Sequence, residues 1–142
     1  MNIAILTPSR QRPGKLDRLI DSVYETASKK NSIRMYNYID TDDPRMVQYK
    51  NNEEQKTHHV INVYDKPQSV SKSWNVLAEK AMYESKEWGA DVLIMGNDDQ
   101  IYLTKDWDIK LQDLSHIAIN LTKNVISNFL VIKLFETYIY AK

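Results

Sequence analysis

The chain predicts a single-domain α/β protein with a mainly parallel sheet flanked by helices, and three observations carry that expectation. The first is the apolar run Val92 to Met95, which stops at Gly96 and delivers Asn97-Asp98-Asp99. A short run without polar alternation suits a strand covered on both faces, as parallel strands are. The second is a pair of apolar stripes at helical spacing. Leu16, Leu19, Ile20, Val23, Tyr24 and Ala27 form one, and Trp74, Leu77, Ala78, Ala81, Met82 and Ser85 form the other, each following the three- and four-residue steps of a helix face. The third is the alternation of these stripes with short β-rich runs, which implies crossover connections and parallel neighbours.

Taken in order, Ile3 to Leu6 reads as the first strand, with Thr7-Pro8-Ser9 as its exit loop. Pro13-Gly14 sets the start of the first helix. Arg34 to Ile39 is a second strand by its aromatic and β-branched content, and Asp40-Thr41-Asp42-Asp43-Pro44 is a turn by composition. Gln48 to Thr57 is polar and aperiodic, hence an expected exposed loop, and Val60 to Val63 is the next strand. Ser69 or Ser71 caps the second helix and Gly89 stops it. After the Val92 to Met95 strand, Thr104 is the expected cap of a short helix through Trp107 and Leu111. From Ser115 onward the chain is rich in Ile, Leu, Asn and Lys, with Glu136 as the lone acidic residue, and the pattern assigns that tail no element.

At 142 residues the chain is long enough to bury roughly two-thirds of the surface its unfolded form exposes. Lys plus Arg equals Asp plus Glu at 19 each, so no global field draws it to nucleic acid or to an anionic membrane. The absence of cysteine excludes disulfides, thiol nucleophiles and thiolate zinc sites. MNIAILTPSR is too short and too polar for a secretory h-region. Asn120, Lys123, Asn128 and Lys133 interrupt the apolar tail, so no stretch reaches the ~18 residues of a membrane span. A cytoplasmic protein without a transmembrane segment is expected. The apolar tail residues Val125, Ile126, Phe129, Leu130, Ile132, Leu134, Phe135, Ile139 and Tyr140 call for burial either against the sheet or, by self-association, against a second copy.

In a parallel sheet, three strand ends meet at one edge: Thr7 to Arg12, Asp40 to Asp43 and Asn97 to Asp99. Ligands gather at that edge in open α/β sheets. Arg10 and Arg12 carry planar, permanently charged forks suited to phosphates. Asp98 and Asp99 repel each other unless a cation or proton lies between them, which points to a hard divalent ion such as Mg or Mn. Together these residues suit a nucleoside diphosphate. Neither a G-x-G-x-x-G nor a Walker A motif is present, so the phosphate devices of those folds are excluded. The same residues also read as an acidic β-turn and solvated loop charges, and spacing alone leaves that reading open. Asp40-Thr41-Asp42 has the spacing of an aspartyl nucleophile pair, yet it follows the second strand and lacks a downstream lysine site. His58 and His59 read as surface residues, His116 stands alone in the tail, and the three form no triad.

IAILTPSRQRP, YIDTDDP, SVSKSWNVLAEKA, VLIMGNDDQIY and TKDWD, in that order, resemble the family 2-like glycosyltransferases of the GT-A fold, including short forms found in phage and bacterial polysaccharide clusters. The resemblance implies a nucleotide-diphospho-sugar transferase-like fold. It implies donor binding by Thr7, Pro8, Arg10 and Arg12, base contact by Asp40 with Asp42 as a substitute, and Asn75 near the start of the following helix. It places the D-x-D metal motif so that Asp99 reaches the metal directly with Asp98 beside it, while Asn97 stands where the motif has an aspartate. Trp107 would begin the acceptor side. The likeness covers about residues 1–114, a donor-binding domain, and leaves 115–142 as a truncated or divergent acceptor part.

The activity this resemblance implies is transfer of a sugar from a nucleotide donor, held through Mn or Mg, to a saccharide or other hydroxyl acceptor. Such transfer passes through an oxocarbenium-like state while charge grows on the departing diphosphate. A cation would act as Lewis acid and template for that leaving group. Asp106 and Asp108 are the positions at which an acceptor base can be guessed, and no catalytic residue is assigned. Two alternatives stand beside it: a nucleotide-sugar binding remnant without turnover, and a structural α/β interaction module.

Overall fold

The structure is a computed structural model and describes residues 1–55, 58–83, 87–113 and 130–132. The chain runs β1 (Asn2–Ser9), α1 (Pro13–Thr26), β2 (Ser32–Asp40), α2 (Met46–Gln55), β3 (Val60–Asp65), α3 (Val70–Met82), β4 (Val92–Met95) and β5 (Leu130–Ile132). The sheet order is β3-β2-β1-β4-β5, and every pairing is parallel. This is the expected single α/β domain. No helix among the described residues is long and apolar enough to cross a membrane.

The strand order explains where the helices lie. From β1 the sheet grows one way through β2 to β3, and the chain then returns past β1 to place β4 on its other side. Right-handed crossovers running in opposite directions put their helices on opposite faces. Accordingly, Leu16, Leu19, Ile20 and Val23 of α1 and Tyr49 of α2 pack with Ile3, Ile5, Met35, Ile39 and Ile94 on one face. Leu77 and Ala81 of α3 pack with Ala4, Leu6, Tyr36, Tyr38 and Leu93 on the other. The direction of growth reverses between β1 and β4, the place where open α/β sheets carry a crevice at the strands' carboxyl ends.

Local chemistry accounts for the boundaries. Pro13 opens α1 at a position where its missing N–H is no loss, and the Arg12 carbonyl accepts from Lys15 and Leu16 at 3.0 and 3.1 Å. β1 runs three residues beyond the expected Leu6, taking in Thr7, Pro8 and Ser9 through pairing with Asn37, Tyr38 and Ile39. Pro8 is tolerated inside this central strand for a geometric reason. The carbonyls of Asn2 and Leu6 point toward the β4 side, accepting from Asp91 and Gly96 at 2.9 Å each. Pro8 faces the same way by alternation, and β4 has already ended there, so its missing donor leaves no partner unpaired.

Gln48 to Thr57 was expected as a loop, yet α2 occupies Met46–Gln55. Its opening turn is built by Asp43, whose carboxylate accepts the Arg45 N–H at 2.8 Å while its carbonyl accepts that of Met46 at 3.0 Å. Tyr49 is a buried anchor, while Val47, Gln48, Lys50 and Asn51 are exposed, so the described part of the helix shows no apolar period. α3 stops at Met82 with Tyr83 as its C-cap, short of Gly89, and Ser85 lies outside the described residues. The helix after β4 covers 107–113. Asp106 rather than Thr104 precedes its first turn, accepting from Ile109 and Lys110 through its carbonyl. Part of the tail joins the sheet, because the 130–132 backbone pairs with β4, Leu130 against Val92 and Ile132 against Ile94. The rest of 115–142, with its expected self-association, lies outside the described residues.

Candidate functional site

The crevice edge is assembled by the loop after β1, the turn after β2 and the turn after β4. Arg10 donates through Nη1 to Asp40 Oδ2 at 2.6 Å and also to Asp42 Oδ1. Asp40 is the last residue of β2 rather than part of the turn, and Asp42 is exposed in the turn that follows. The Arg10 hydrogen bond holds Asp42 below the ordinary carboxylate value, and the two carboxylates together raise the guanidinium further above its usual value.

Gln11 adopts φ 59, a left-handed conformation uncommon for a residue with a side chain. Its N–H donates to Asp43 Oδ2 at 2.6 Å. Asp43 is buried and bonds Arg45 through its other oxygen, so one carboxylate ties the β1 loop to the start of α2.

On the β4 side, Asp98 is 1% exposed. Its Oδ2 accepts from Ser9 Oγ at 2.7 Å and lies 3.2 Å from Arg12 Nε. Burial pushes its carboxyl above the ordinary value, with Ser9 and Arg12 opposing the shift. Ser9 Oγ also lies 2.9 Å from the Tyr49 hydroxyl, which accepts the Arg12 N–H at 3.0 Å. Asp99 is exposed in the same turn. Gly96 lets this turn pass close to β1: a Cβ there would stand 3.1 Å from Thr7 Oγ1 and 3.4 Å from Ile5.

Arg10, Arg12, Asp40, Asp42, Asp98 and Asp99 are thus brought to one edge, as expected, but in two groups: Arg10 with Asp40 and Asp42, and Arg12 with Asp98. Pro8 is half-buried beside them. Thr7 is fully buried with an unpartnered hydroxyl, so it lines the interior under the edge. Asn75 is exposed on α3 and takes no part in the hydrogen bonds of the edge. Its neighbour Trp74 does reach β1, donating through Nε1 to the Leu6 carbonyl at 3.2 Å.

Asp106 and Asp108 are a correction. After Asp98 the chain descends along α1: Tyr102 N–H donates to Ser22 Oγ at 3.0 Å, Trp107 Nε1 to the Val23 carbonyl at 3.1 Å and Asp106 N–H to the Thr26 carbonyl at 2.7 Å. α1 starts at the crevice edge and Thr26 ends it, so both aspartates lie at the opposite edge of the sheet. Burial works against the Asp108 charge, but bonds from the Ser28 N–H and hydroxyl at 2.8 and 2.6 Å and from Asn31 at 3.0 Å outweigh it, holding the carboxyl below the ordinary value. Trp107 is likewise buried against α1 rather than set at an acceptor surface.

Asp43, Ser9 and Tyr49 were not singled out as site residues from the sequence. A usable signal existed for Asp43, since Asp-Pro opening a polar segment is also a helix start. Nothing local marks Tyr49 or Ser9.

No family model matches the chain, and no curated protein matches it. Among solved structures it is similar to TarS 1–349 of S. aureus in complex with UDP, with a TM-score of 0.54 and 13% identity over 85% of this chain and 32% of that one. The chain therefore spans about a third of the TarS chain it matches. A likeness at this identity shows the fold, which is similar to a glycosyltransferase fold.

Proposed function

We propose that the chain binds a nucleoside diphosphate sugar at the β1–β4 crevice and serves as the donor side of a metal-dependent glycosyltransferase that passes the sugar to a hydroxyl acceptor. The observation that carries this reading is the gathering of Arg10, Arg12, Asp98 and Asp99 at the strand-order reversal of a sheet whose fold is shared with TarS, a protein crystallised with UDP.

The charge balance of the edge supports a cation. Asp40, Asp42, Asp43, Asp98 and Asp99 outnumber Arg10, Arg12 and Lys15 there, so an anionic diphosphate meets net repulsion unless positive charge accompanies it. The residues fit Mn or Mg in a limited way. Among the described residues, no group of three His, Cys, Asp or Glu side chains is placed to hold a metal. Asp99, with the second oxygen of Asp98, would supply one or two carboxylates, the number Mg commonly takes when substrate phosphates and water complete its shell. When bound, such a cation supplies Lewis acidity toward the leaving diphosphate.

The chain's own residues orient the donor. Arginine at the β1 loop presents fixed charge to the phosphates, and Asp40, at the end of β2, is placed to accept from a base N–H once Arg10 yields it. A second reading, donor binding without transfer, is favoured by one observation: the positions guessed for an acceptor base, Asp106 and Asp108, lie at the far edge.

Calorimetry against a panel of nucleoside diphosphates with Mn and with chelator tests the binding reading. Saturable, Mn-dependent binding is expected, and equal or absent binding in both conditions would overturn it. Release of free sugar or transfer from a bound donor then separates the enzyme from the binding protein.

A further inference from the structure

We infer that Tyr49 is a positioning residue for this crevice, aiming the Arg12 guanidinium at the anionic part of the ligand through Ser9 and Asp98, and that Arg12 rather than Arg10 carries that contact. The inference rests on the proposed nucleotide site and goes beyond it by naming which arginine acts and what holds it.

The two arginines differ in what is already spent. Arg10 has its Nη1 committed to both Asp40 and Asp42. Arg12 engages Asp98 through Nε, on the inner edge of its fork, and its side chain is 47% exposed. The Nη groups of Arg12 have no partner among the described residues, so they remain free to meet a phosphate while Nε is anchored. An anchored guanidinium loses less freedom on binding, which makes each new bond more effective.

The anchor has a determined direction. The backbone N–H of Arg12 can only donate, so the Tyr49 oxygen is its acceptor. The Ser9 hydroxyl donates its one proton to Asp98 Oδ2. Ser9 Oγ must then accept from Tyr49 across the 2.9 Å contact. Three hydrogen bonds and one ion pair form a closed ring: Arg12 backbone to Tyr49, Tyr49 to Ser9, Ser9 to Asp98, and the Arg12 side chain paired with Asp98. Both ends of that ring belong to one residue, so both the backbone and the fork of Arg12 are located. Tyr49 is 2% exposed and comes from α2, so the helix supplies the ring from outside the two strands it joins.

The test uses the full chain with Mn present, titrated with UDP and with uridine, in the wild type, Tyr49→Phe, Arg12→Ala and the double variant. Tyr49→Phe keeps the aromatic side chain and removes only the hydroxyl. It should lose about tenfold in UDP affinity, equivalent to one well-made hydrogen bond, keep its uridine affinity, and lose nothing further when combined with Arg12→Ala. Equal loss for UDP and uridine would show a merely structural role, and additive losses would show that Tyr49 does not act through Arg12; either result overturns the inference. So does unchanged UDP affinity in Tyr49→Phe. Should that variant melt early, Ser9→Ala breaks the same ring at the next hydroxyl and must give the same pattern. A wild type that binds no nucleoside diphosphate removes the functional reading itself, and the role of Arg12 with it.

Discussion

The backbone N–H of Gln11 donates to the buried carboxylate of Asp43 at 2.6 Å, across 32 residues of sequence, and it does so with Gln11 at φ 59. Left-handed backbone persists at a non-glycine residue only where its surroundings over-determine it. Here Asp43 does so, and the consequence is that Arg10 and Arg12 diverge to opposite sides of Gln11, one toward β2 and one toward β4.

Asp43→Ala should therefore loosen two loops at once. It leaves the N–H groups of Gln11 and Arg45 without their acceptor, which should cost about 2–3 kcal/mol by chemical denaturation. Gln11→Val, a β-branched residue at positive φ, should cost about 1–2 kcal/mol, while Gln11→Gly stays close to neutral. Full stability in Asp43→Ala would show that the turn after β2 does not depend on this carboxylate.

Arg10→Ala should leave the melting temperature nearly unchanged, because Arg10 and Asp42 are solvent-exposed and such pairs contribute little, with Asp40 alone half-buried. It uncovers two carboxylates at the crevice mouth. UDP affinity should fall by roughly threefold to tenfold, more steeply at low salt, as unscreened repulsion requires. A loss independent of salt would count against this electrostatic account.

Asp99→Ala should fold normally, since Asp99 is exposed outside the core. Under the proposed metal role it should erase the difference between UDP binding in Mn and in chelator. Circular dichroism and calorimetry on the same sample check both halves, and a retained Mn effect would remove Asp99 from the metal site.

Stability should respond to pH through two aspartates of opposite sign. Asp108 is held below the ordinary value, so it binds a proton less readily when folded. Its contribution is in full above the ordinary carboxylate value of about 4 and is lost as pH falls through the lower folded value. Asp108→Asn should lower stability at neutral pH by about 2 kcal/mol and flatten the acid limb. Asp98 is raised, so its contribution is in full below about 4 and is lost as pH rises through the folded value. Asp98→Asn should gain stability relative to wild type as pH rises through that window. Denaturant melts between pH 3 and 7, a range set by about 4 as the reference, check both slopes.

Some elements were legible because their residues report directly on burial. Leu16, Leu19, Ile20 and Val23 must all face one side of a helix to leave water, and α1 is where that stripe lies. Val92 to Met95 is covered by helices on both faces, and β4 matches the run residue for residue. α2 was not legible because, among residues 46–51, Tyr49 alone is buried and one buried residue writes no period into the sequence, and Thr7 to Ser9 were not because their inclusion in β1 depends on β2 continuing alongside.

By itself the sequence determined the parallel α/β architecture, since burial on both faces favours parallel strands and parallel strands turn their carboxyl ends to one edge; the order β3-β2-β1-β4-β5 that makes the charged ends neighbours came from the tertiary structure. Only the tertiary structure decided how those charges divide: Arg10 to Asp40 and Asp42, Arg12 to Asp98, Gln11 to Asp43, and Tyr49 closing the ring. The same holds for Asp106 and Asp108, which a path down α1 carries to the far edge. Burial is a property of each residue and its period, whereas a hydrogen bond depends on a distance of about 3 Å between groups that here lie up to 89 residues apart, and no local pattern encodes that distance.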